Sequence, residues 1–359
     1  MNYLIDIGHP AHVHYFRNFA QIEQAKGNRV LFTTRDKEIT IALLEHFRLD
    51  YISFGKPFRS KAGKVFGLFY FSFRVWLVAL RFKPDFFLNA TMYAAIAAWL
   101  CRKPHIALED TYNMEQVRLY RPFTEAILTG EYSHPTMGVK EYKYSGYQEL
   151  LYLHPHYFEP DPGIRDLLGV PPGESYIILR FVSWQASHDF GHKGINLDSK
   201  REAVRRFSRY SRVFISSEAT LPAEFEPFRY RLAPETMHHA MAFASLVYGE
   251  SSTMASEACM LGIPAIFLNN SGTFLTTDEE KTFGMVFNFT ESEEDQRRSI
   301  EKGVELLSTP GIREEWQKKR EKMLSEKIDV TAFLVWFIEN WPESRRIMKE
   351  NPGWQMGFK

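Results

Sequence analysis

A chain of 359 residues is longer than one ordinary hydrophobic core supports, so two domains are expected. Its 44 Lys and Arg balance its 44 Asp and Glu, which argues against the basic field of a nucleic-acid-binding protein. The two cysteines, Cys101 and Cys259, sit in apolar helix-like segments without metal-ligand spacing, which argues against a disulfide framework and for a reducing compartment.

The chain opens on the strand-like NYLIDIG, without the basic-then-apolar layout of a signal peptide, so a cytoplasmic location is expected. The helix-like HYFRNFAQIEQAKG ends at Gly27, and the strand NRVLFTT follows. The helix KEITIALLEHF, the strand DYISFG, an aromatic helix and the strand DFFLNA continue the alternation. TMYAAIAAWLCR reads as a helix, PHIALED as a strand and AILTG as another. Alternation of this kind builds a parallel sheet with helices on both faces.

The aromatic helix is unusual. Phe alone accounts for 30 residues, and VFGLFYFSFRVWLVAL at 65–80 is the most apolar run in the chain. It is slightly short for a membrane span, Arg74 interrupts it, and Pro84 stops it before the next strand. A core helix is the expectation. Peripheral contact with the inner membrane face through 65–80 is the alternative.

YLHPHYFEPDPGIRDLLGVPPGES at 152–175 holds five prolines and no clear period, and reads as a domain connection. The alternation then restarts with the strand YIILRF, the helix SKREAVRRFSRY and the strand RVFISS. TMHHAMAFAS, LVYG, MASEACML and AIFL alternate helix and strand again. SEEDQRRSIEKGVELLS and REEWQKKREKMLSE are polar amphipathic helices, and VTAFLVWFIENW is a last apolar one. The fold class is therefore α/β, with two successive doubly wound domains. Ligands of such sheets bind at the carboxyl ends of strands, which places the expected site in a cleft between the domains.

Four constellations occupy such strand ends. In GESSTMASEACMLGIP (249–264), Ser251, Ser252 and Thr253 stand at a helix start, where free N–H groups and the helix dipole favour an anion. They serve equally well as ordinary caps. Glu257 lies one turn on and can accept the two hydroxyls of a ribose. Glu250 would repel a phosphate, so it is expected to point away or to hold a cation. In DIGHPAHVHYFRN, Asp6, His9, His12, His14 and Arg17 crowd one strand-to-helix turn. No acidic ligand follows at metal spacing, so a substrate-binding turn is expected, with an imidazole available as general base. Glu109 and Asp110 end a strand together; one is expected to face the ligand and the other to cap a helix starting at Thr111. In YIILRFVSWQASHDFGHKG, Arg180 and Lys193 suit a diphosphate, and His188 can donate to it or take part in catalysis.

These motifs together carry a resemblance. Asp6, Pro10, His12, Val13, His14, Tyr15, Phe16 and Arg17, with EDT, the pattern G-Y-x-E-L-x-Y-L-H-P-x-Y-F-x-P at 146–160, ASHDFGHKG and GESSTMASEACMLGIPAI, resemble the family known by the domain-of-unknown-function number 354. The likeness covers nearly the whole chain. More remotely the chain resembles the GT-B glycosyltransferases and the non-hydrolysing UDP-N-acetylglucosamine 2-epimerases. That resemblance implies two Rossmann-like doubly wound domains facing each other across a cleft. Residues 1–160 would bind the acceptor and 161–330 the nucleotide-sugar, with 331–359 as a C-terminal helix crossing back to the first domain. It implies that 248–264 binds the diphosphate and that Glu257 meets the ribose. The epimerase motif H-V-E-A-G-L-R corresponds to HIALEDTYN, which sets Glu109 or Asp110 against a catalytic carboxylate, and an epimerase His falls near His188. The usual Gly-Gly of the phosphate turn is Ser251-Ser252 here. The Arg-rich signature that follows the epimerase His is absent, which counts against epimerisation.

The expected activity is transfer of a sugar from a nucleotide diphosphate donor, UDP-linked by resemblance, to a glycan or lipid-linked acceptor in polysaccharide biosynthesis. No metal and no cofactor is expected. Arg180, Ser251, Ser252, Thr253 and Glu257 would hold the donor, and Asp6, His14 and Arg17 the acceptor. His12, Glu109 or Asp110 would act as base, with His188 in a catalytic role. The alternative is a nucleotide-sugar 2-epimerase, which needs an acid and a base on both faces of one carbon.

Overall fold

A computed structural model describes residues 1–37, 39–58, 60–182, 194–217, 220–270 and 273–359. The chain divides into two compact units, Met1–Tyr152 with Lys327–Lys359, and Leu153–Glu326. The sequence reading divides it at 160 and 330.

The first unit alternates β1 (Asn2–Ile7), α1 (Pro10–Ala25), β2 (Arg29–Thr34), α2 (Thr40–His46), β3 (Tyr51–Ser53), α3 (Lys61–Phe82), β4 (Phe86–Leu88), α4 (Met92–Cys101), β5 (His105–Leu108), α5 (Met114–Tyr120), β6 (Ala126–Gly130) and β7 (Glu141–Tyr144), then a short turn of helix, α6 (Leu150–Leu153). Among the described residues its sheet has the order β3-β2-β1-β4-β5-β6-β7, parallel throughout. A parallel sheet is covered on both faces, so its strands read as apolar runs. Tyr3, Leu4, Ile5, Phe32 and Phe87 are fully buried accordingly. Helix starts follow the chemistry of their caps. Pro10 sits at the first turn of α1 behind a His9 cap. Ser60 and Thr91 cap α3 and α4, accepting the N–H groups of Gly63 and Ala94.

Helix α3 is longer than 65–80. Its window Val65–Phe82 has a mean hydropathy of 1.5 and is long and apolar enough to cross a membrane by length and composition. One face is core: Phe71, Val75 and Ala79 are buried against α4 and the sheet. The strand β7 carries no clear signal in EYKY and was not anticipated by the pattern. It is covered by the C-terminal segment, in which Phe337 of α14 (Val330–Glu339) packs on Tyr142 and Phe333 on Tyr144. A further helix, Glu343–Glu350, follows α14, and Gln355 Oε1 accepts the Ser145 N–H at 2.7 Å.

The second unit contains α7 (Ile164–Leu167), β8 (Tyr176–Phe181), α8 (Leu197–Phe207), β9 (Arg212–Ser217), α9 (Met237–Ala242), β10 (Leu246–Gly249), α10 (Ser252–Leu261), β11 (Ala265–Leu268), α11 (Phe274–Asp278), β12 (Val286–Phe289), α12 (Glu293–Ser308) and α13 (Ile312–Glu326). Among the described residues its parallel sheet has the order β12-β11-β10-β8-β9. An isolated parallel bridge from Ile215 to Arg229 marks the rudiment of one more strand beyond β9. In both sheets the order reverses beside the first strand of the unit, between β1 and β4 and between β8 and β10. Those reversals are where an open α/β sheet offers a crevice at its carboxyl edge.

Candidate active site

The first reversal point is built around His12. Gly8, just past β1, donates its N–H to His12 Nδ1 at 3.3 Å, and Asn89 Nδ2, just past β4, lies 2.8 Å from the same nitrogen. A backbone N–H can only donate, so Nδ1 accepts and the neutral ring carries its proton on Nε2. Nε2 lies 3.4 Å from Asp110 Oδ2. Asn89 adopts φ +90°, uncommon for a residue other than glycine, and its Nδ2 also meets the Asp6 carbonyl at 2.8 Å. From behind, the buried His105 ring donates Nε2–H to the Asn89 carbonyl at 2.9 Å. Burial pulls the His105 pKa from 6.5 down to about 4, against that hydrogen bond. The folded state therefore keeps this ring neutral. The stability that follows is present in full above about pH 6.5 and lost as pH falls through about 4. Between these limits wild type should lose about 3 kcal/mol more than His105→Gln, read by urea denaturation across the range.

The two adjacent carboxylates have different fates. Glu109 is 2% exposed. Its Oε1 accepts the Thr111 N–H at 3.0 Å, the Thr111 hydroxyl at 2.8 Å and the Tyr112 N–H at 2.9 Å, and Oε2 accepts the Tyr120 hydroxyl. Burial and the neighbouring Asp110 raise its pKa, and these hydrogen bonds only partly oppose the rise. Glu109 thus braces a turn. The helix itself starts at Met114 under an Asn113 cap rather than at Thr111. Asp110 keeps 17% of its side chain exposed. Burial raises its pKa, but the facing imidazoles of His12 and His9 and the Tyr15 hydroxyl outweigh it and hold the carboxyl below the ordinary Asp range. Of the three candidate bases, Asp110 is the ionised and accessible one.

Asp6, His14 and Arg17 have internal partners. Asp6 is fully buried; it accepts from Arg35 Nη1 at 2.6 and 2.8 Å and from the Thr33 hydroxyl at 2.8 Å. Arg35 Nη2 in turn donates to the Ile7 carbonyl at 2.8 Å, which locks the end of β1. His14 stacks on Tyr152 at 5.2 Å between ring centres. Arg17 donates to the Tyr152 carbonyl at 3.1 Å and lies 4.7 Å over Phe47.

The second reversal point is built by β8, β10 and α10. Gly249 pairs with Arg180 across the two central strands. Arg180 Nη1 donates to Ser216 Oγ at 2.9 Å. Ser251 is the cap of α10, its hydroxyl accepting the Met254 N–H at 3.3 Å. Ser252 and Thr253 follow in the first turn, where helix geometry leaves their N–H groups unused. Among the described residues neither of their hydroxyls has a partner. Glu257 is 6% exposed and meets His238 Nε2 at 2.8 Å, a contact from α9 that holds the carboxylate in place. Glu250 turns away from α10. It accepts the Val182 N–H at 2.8 Å and the Ile195 N–H at 2.5 Å, with Lys200 Nζ 3.6 Å away. The expected repulsion of a phosphate by Glu250 is thereby removed. His188 and Lys193 lie outside the described residues.

Asn89, His105 and His238 carry no role in the sequence reading, and Tyr15 enters it only as part of the family motif. Asn89 had a signal, an Asn directly at a strand's carboxyl end in DFFLNAT. His238 had none, since it is 19 residues from Glu257 within an ordinary helical pattern.

No family model and no curated protein matches the chain. Solved structures do. The UDP-GlcNAc 2-epimerase from Neisseria meningitidis, bound to UDP-GlcNAc, matches with a TM-score of 0.66 at 16% identity, over 88% of this chain and 94% of that one. MnaA of S. aureus with UDP matches with a TM-score of 0.60 at 12% identity, over 89% and 90%. The spinosyn rhamnosyltransferase SpnG, complexed with spinosyn aglycone, matches with a TM-score of 0.58 at 14% identity, over 95% and 100%. Two Rossmann-like units, with parallel sheets reversing at β1/β4 and β8/β10, give this chain the GT-B fold shared by those epimerases and glycosyltransferases.

Proposed function

We propose that the chain is a metal-independent glycosyltransferase that moves a sugar from a UDP-linked donor to a hydroxyl of a glycan or lipid-linked acceptor. The observation that carries this reading is the start of α10. Among the described residues two N–H groups and two hydroxyls there have no partner; they follow β10, whose Gly249 pairs with Arg180 of β8, and Glu257 lies one turn along, fixed by His238. That set suits a diphosphate followed by a ribose. Two of the structural relatives hold UDP or UDP-GlcNAc, which supports uridine as the nucleoside. The acceptor hydroxyl gives its proton to Asp110 and its oxygen bonds to the anomeric carbon. The bond from that carbon to the diphosphate breaks, and UDP leaves with the electron pair. The α10 amides and Arg180 stabilise the charge on the leaving diphosphate, a role otherwise filled by a metal. His188 is retained as a candidate donor to that diphosphate.

Epimerisation is less well supported. It requires proton transfer on both faces of one carbon, and of the adjacent pair only Asp110 is available, because Glu109 is saturated by four donors.

Ligand-induced thermal stabilisation tests the donor site. UDP, GDP, CDP and ADP are compared with and without magnesium, on wild type and Glu257→Ala. At a hundred times the dissociation constant, UDP should stabilise wild type by about 2.7 kcal/mol without magnesium and Glu257→Ala much less. A panel in which no nucleotide shifts the wild type would make the α10 turn an ordinary cap and remove the reading. Incubating a UDP-sugar without acceptor separates the two activities, since an epimerised sugar would overturn transfer.

A further inference from the structure

We propose that α3 and the cavity beside it form a docking site for an anionic phospholipid bilayer. The first observation is the exposed face of α3. Val65, Phe66, Phe69, Phe73, Leu77 and Leu80 are between 39% and 69% exposed, and they recur at helical spacing opposite the buried Phe71, Val75 and Ala79. An apolar stripe this long on a helix whose other face is core is unusual for a surface bathed only in water. The buried face also decides the mode. A spanning helix would have to leave α4 and the sheet, whereas a helix lying flat keeps its packing and sinks only the exposed stripe into the headgroup boundary.

The second observation is charge. The chain as a whole is neutral, yet residues 51–84 contain seven Lys and Arg and no Asp or Glu. A local excess of that kind attracts anionic lipid and repels a second copy of the same face. The third is a cavity of about 450 Å³ between α3 and the outer strands β2 and β3. It is lined by Leu31, Ile52, Phe54, Leu77, Val78 and Phe82, with Arg29, Arg74 and Arg81 among its walls. Arg29 lies 4.9 Å over the Phe82 ring and Arg74 5.1 Å over Phe54, while Arg74 Nη1 donates to the Tyr70 hydroxyl at 2.8 Å. Among the described residues none of these three guanidiniums pairs with a carboxylate. An apolar recess with unneutralised guanidiniums matches the chemistry of one anionic lipid, with its phosphate on the arginines and its chain along the aromatic wall.

This site does not depend on the nucleotide-sugar reading, and its test uses the full chain without nucleotide. Co-sedimentation is measured with vesicles of phosphatidylcholine alone and of phosphatidylcholine mixed with phosphatidylglycerol. Wild type should bind the mixed vesicles and release them at high salt. Phe69→Ser/Phe73→Ser and Arg29→Glu/Arg81→Glu should each weaken binding roughly tenfold or more. All four side chains are exposed, so both variants should keep the wild-type melting temperature and the wild-type response to UDP. Equal binding to both vesicle types, or no binding to either, would overturn the proposal. So would a concentration-dependent dimer abolished by Phe69→Ser/Phe73→Ser, which would assign the stripe to a second copy of the chain.

Discussion

Asp110→Asn should lower turnover by about 10² to 10⁴, the usual contribution of a positioned general base, while leaving the response to UDP unchanged. The asparagine keeps the size of the side chain and can still accept the His12 Nε2–H, so the melting temperature should move little. The pH profile carries the more specific expectation. Burial alone would push the Asp110 carboxyl up, and the imidazoles of His12 and His9 with the Tyr15 hydroxyl reverse that push. The carboxylate therefore stays ionised to below the ordinary Asp value of 3.8, and the acid limb of kcat/KM from this group lies below that value. In His12→Gln the principal opposing group is gone, and the limb should move up in pH as turnover falls. A structural role for His12 would lower the melting temperature without moving the limb. Turnover retained within about threefold in Asp110→Asn would place the base elsewhere.

Glu109 shows why the sequence could not choose between these carboxylates. Two neighbours in ED sit on opposite sides of the backbone, and that much follows from strand geometry. Which side faces the accessible edge is decided by Tyr120, eleven residues on, and by the turn at Thr111 and Tyr112. No local pattern encodes that closure. His12 is similar. The turn DIGHPAH marks it as a strand-end imidazole, but its tautomer depends on the Gly8 N–H and on Asn89, a residue 77 positions away.

The alternation of strand and helix was legible because both sheets are parallel and buried on both faces, which leaves long apolar runs between turn residues. The elements that escaped are those without such runs. EYKY of β7 and VFNF of β12 are four residues each, and they take their strand character from the neighbours they pair with. Asp6 marks the limit of motif reading most clearly. At the carboxyl end of β1 it has the placement of a ligand contact, yet Arg35 and Thr33 saturate it, and neither lies within its own motif. Asp6 positions the end of β1 and, through its carbonyl, Asn89. Its carboxylate contributes indirectly to the site at His12.

Gly249→Ala should be the most destabilising single methyl in the second unit, costing more than about 4 kcal/mol or abolishing folding. Gly249 ends β10 at φ +152°, directly beside Arg180 of β8. A Cβ there would lie 2.0 Å from the Arg180 carbonyl oxygen, 2.8 Å from its carbon and 2.9 Å from its nitrogen. All three are backbone atoms of a central strand, so no rotamer change relieves the contact, and the two strands would have to part. Gly303 in α12 provides the comparison. A Cβ there meets Phe207 ring carbons at 2.6 Å, but a ring can tilt, and alanine favours the helix by about 1 kcal/mol. Gly303→Ala should therefore cost far less in urea denaturation than Gly249→Ala. The contrast bears on function, because the approach that forbids a side chain at Gly249 is the one that brings the Arg180 backbone against the end of β10, from which the chain turns into α10. A residual folded fraction of Gly249→Ala should bind UDP poorly even where its circular dichroism matches wild type. Normal stability and normal UDP binding in Gly249→Ala would mean that the two strands tolerate separation, and that Arg180 and α10 do not form one site.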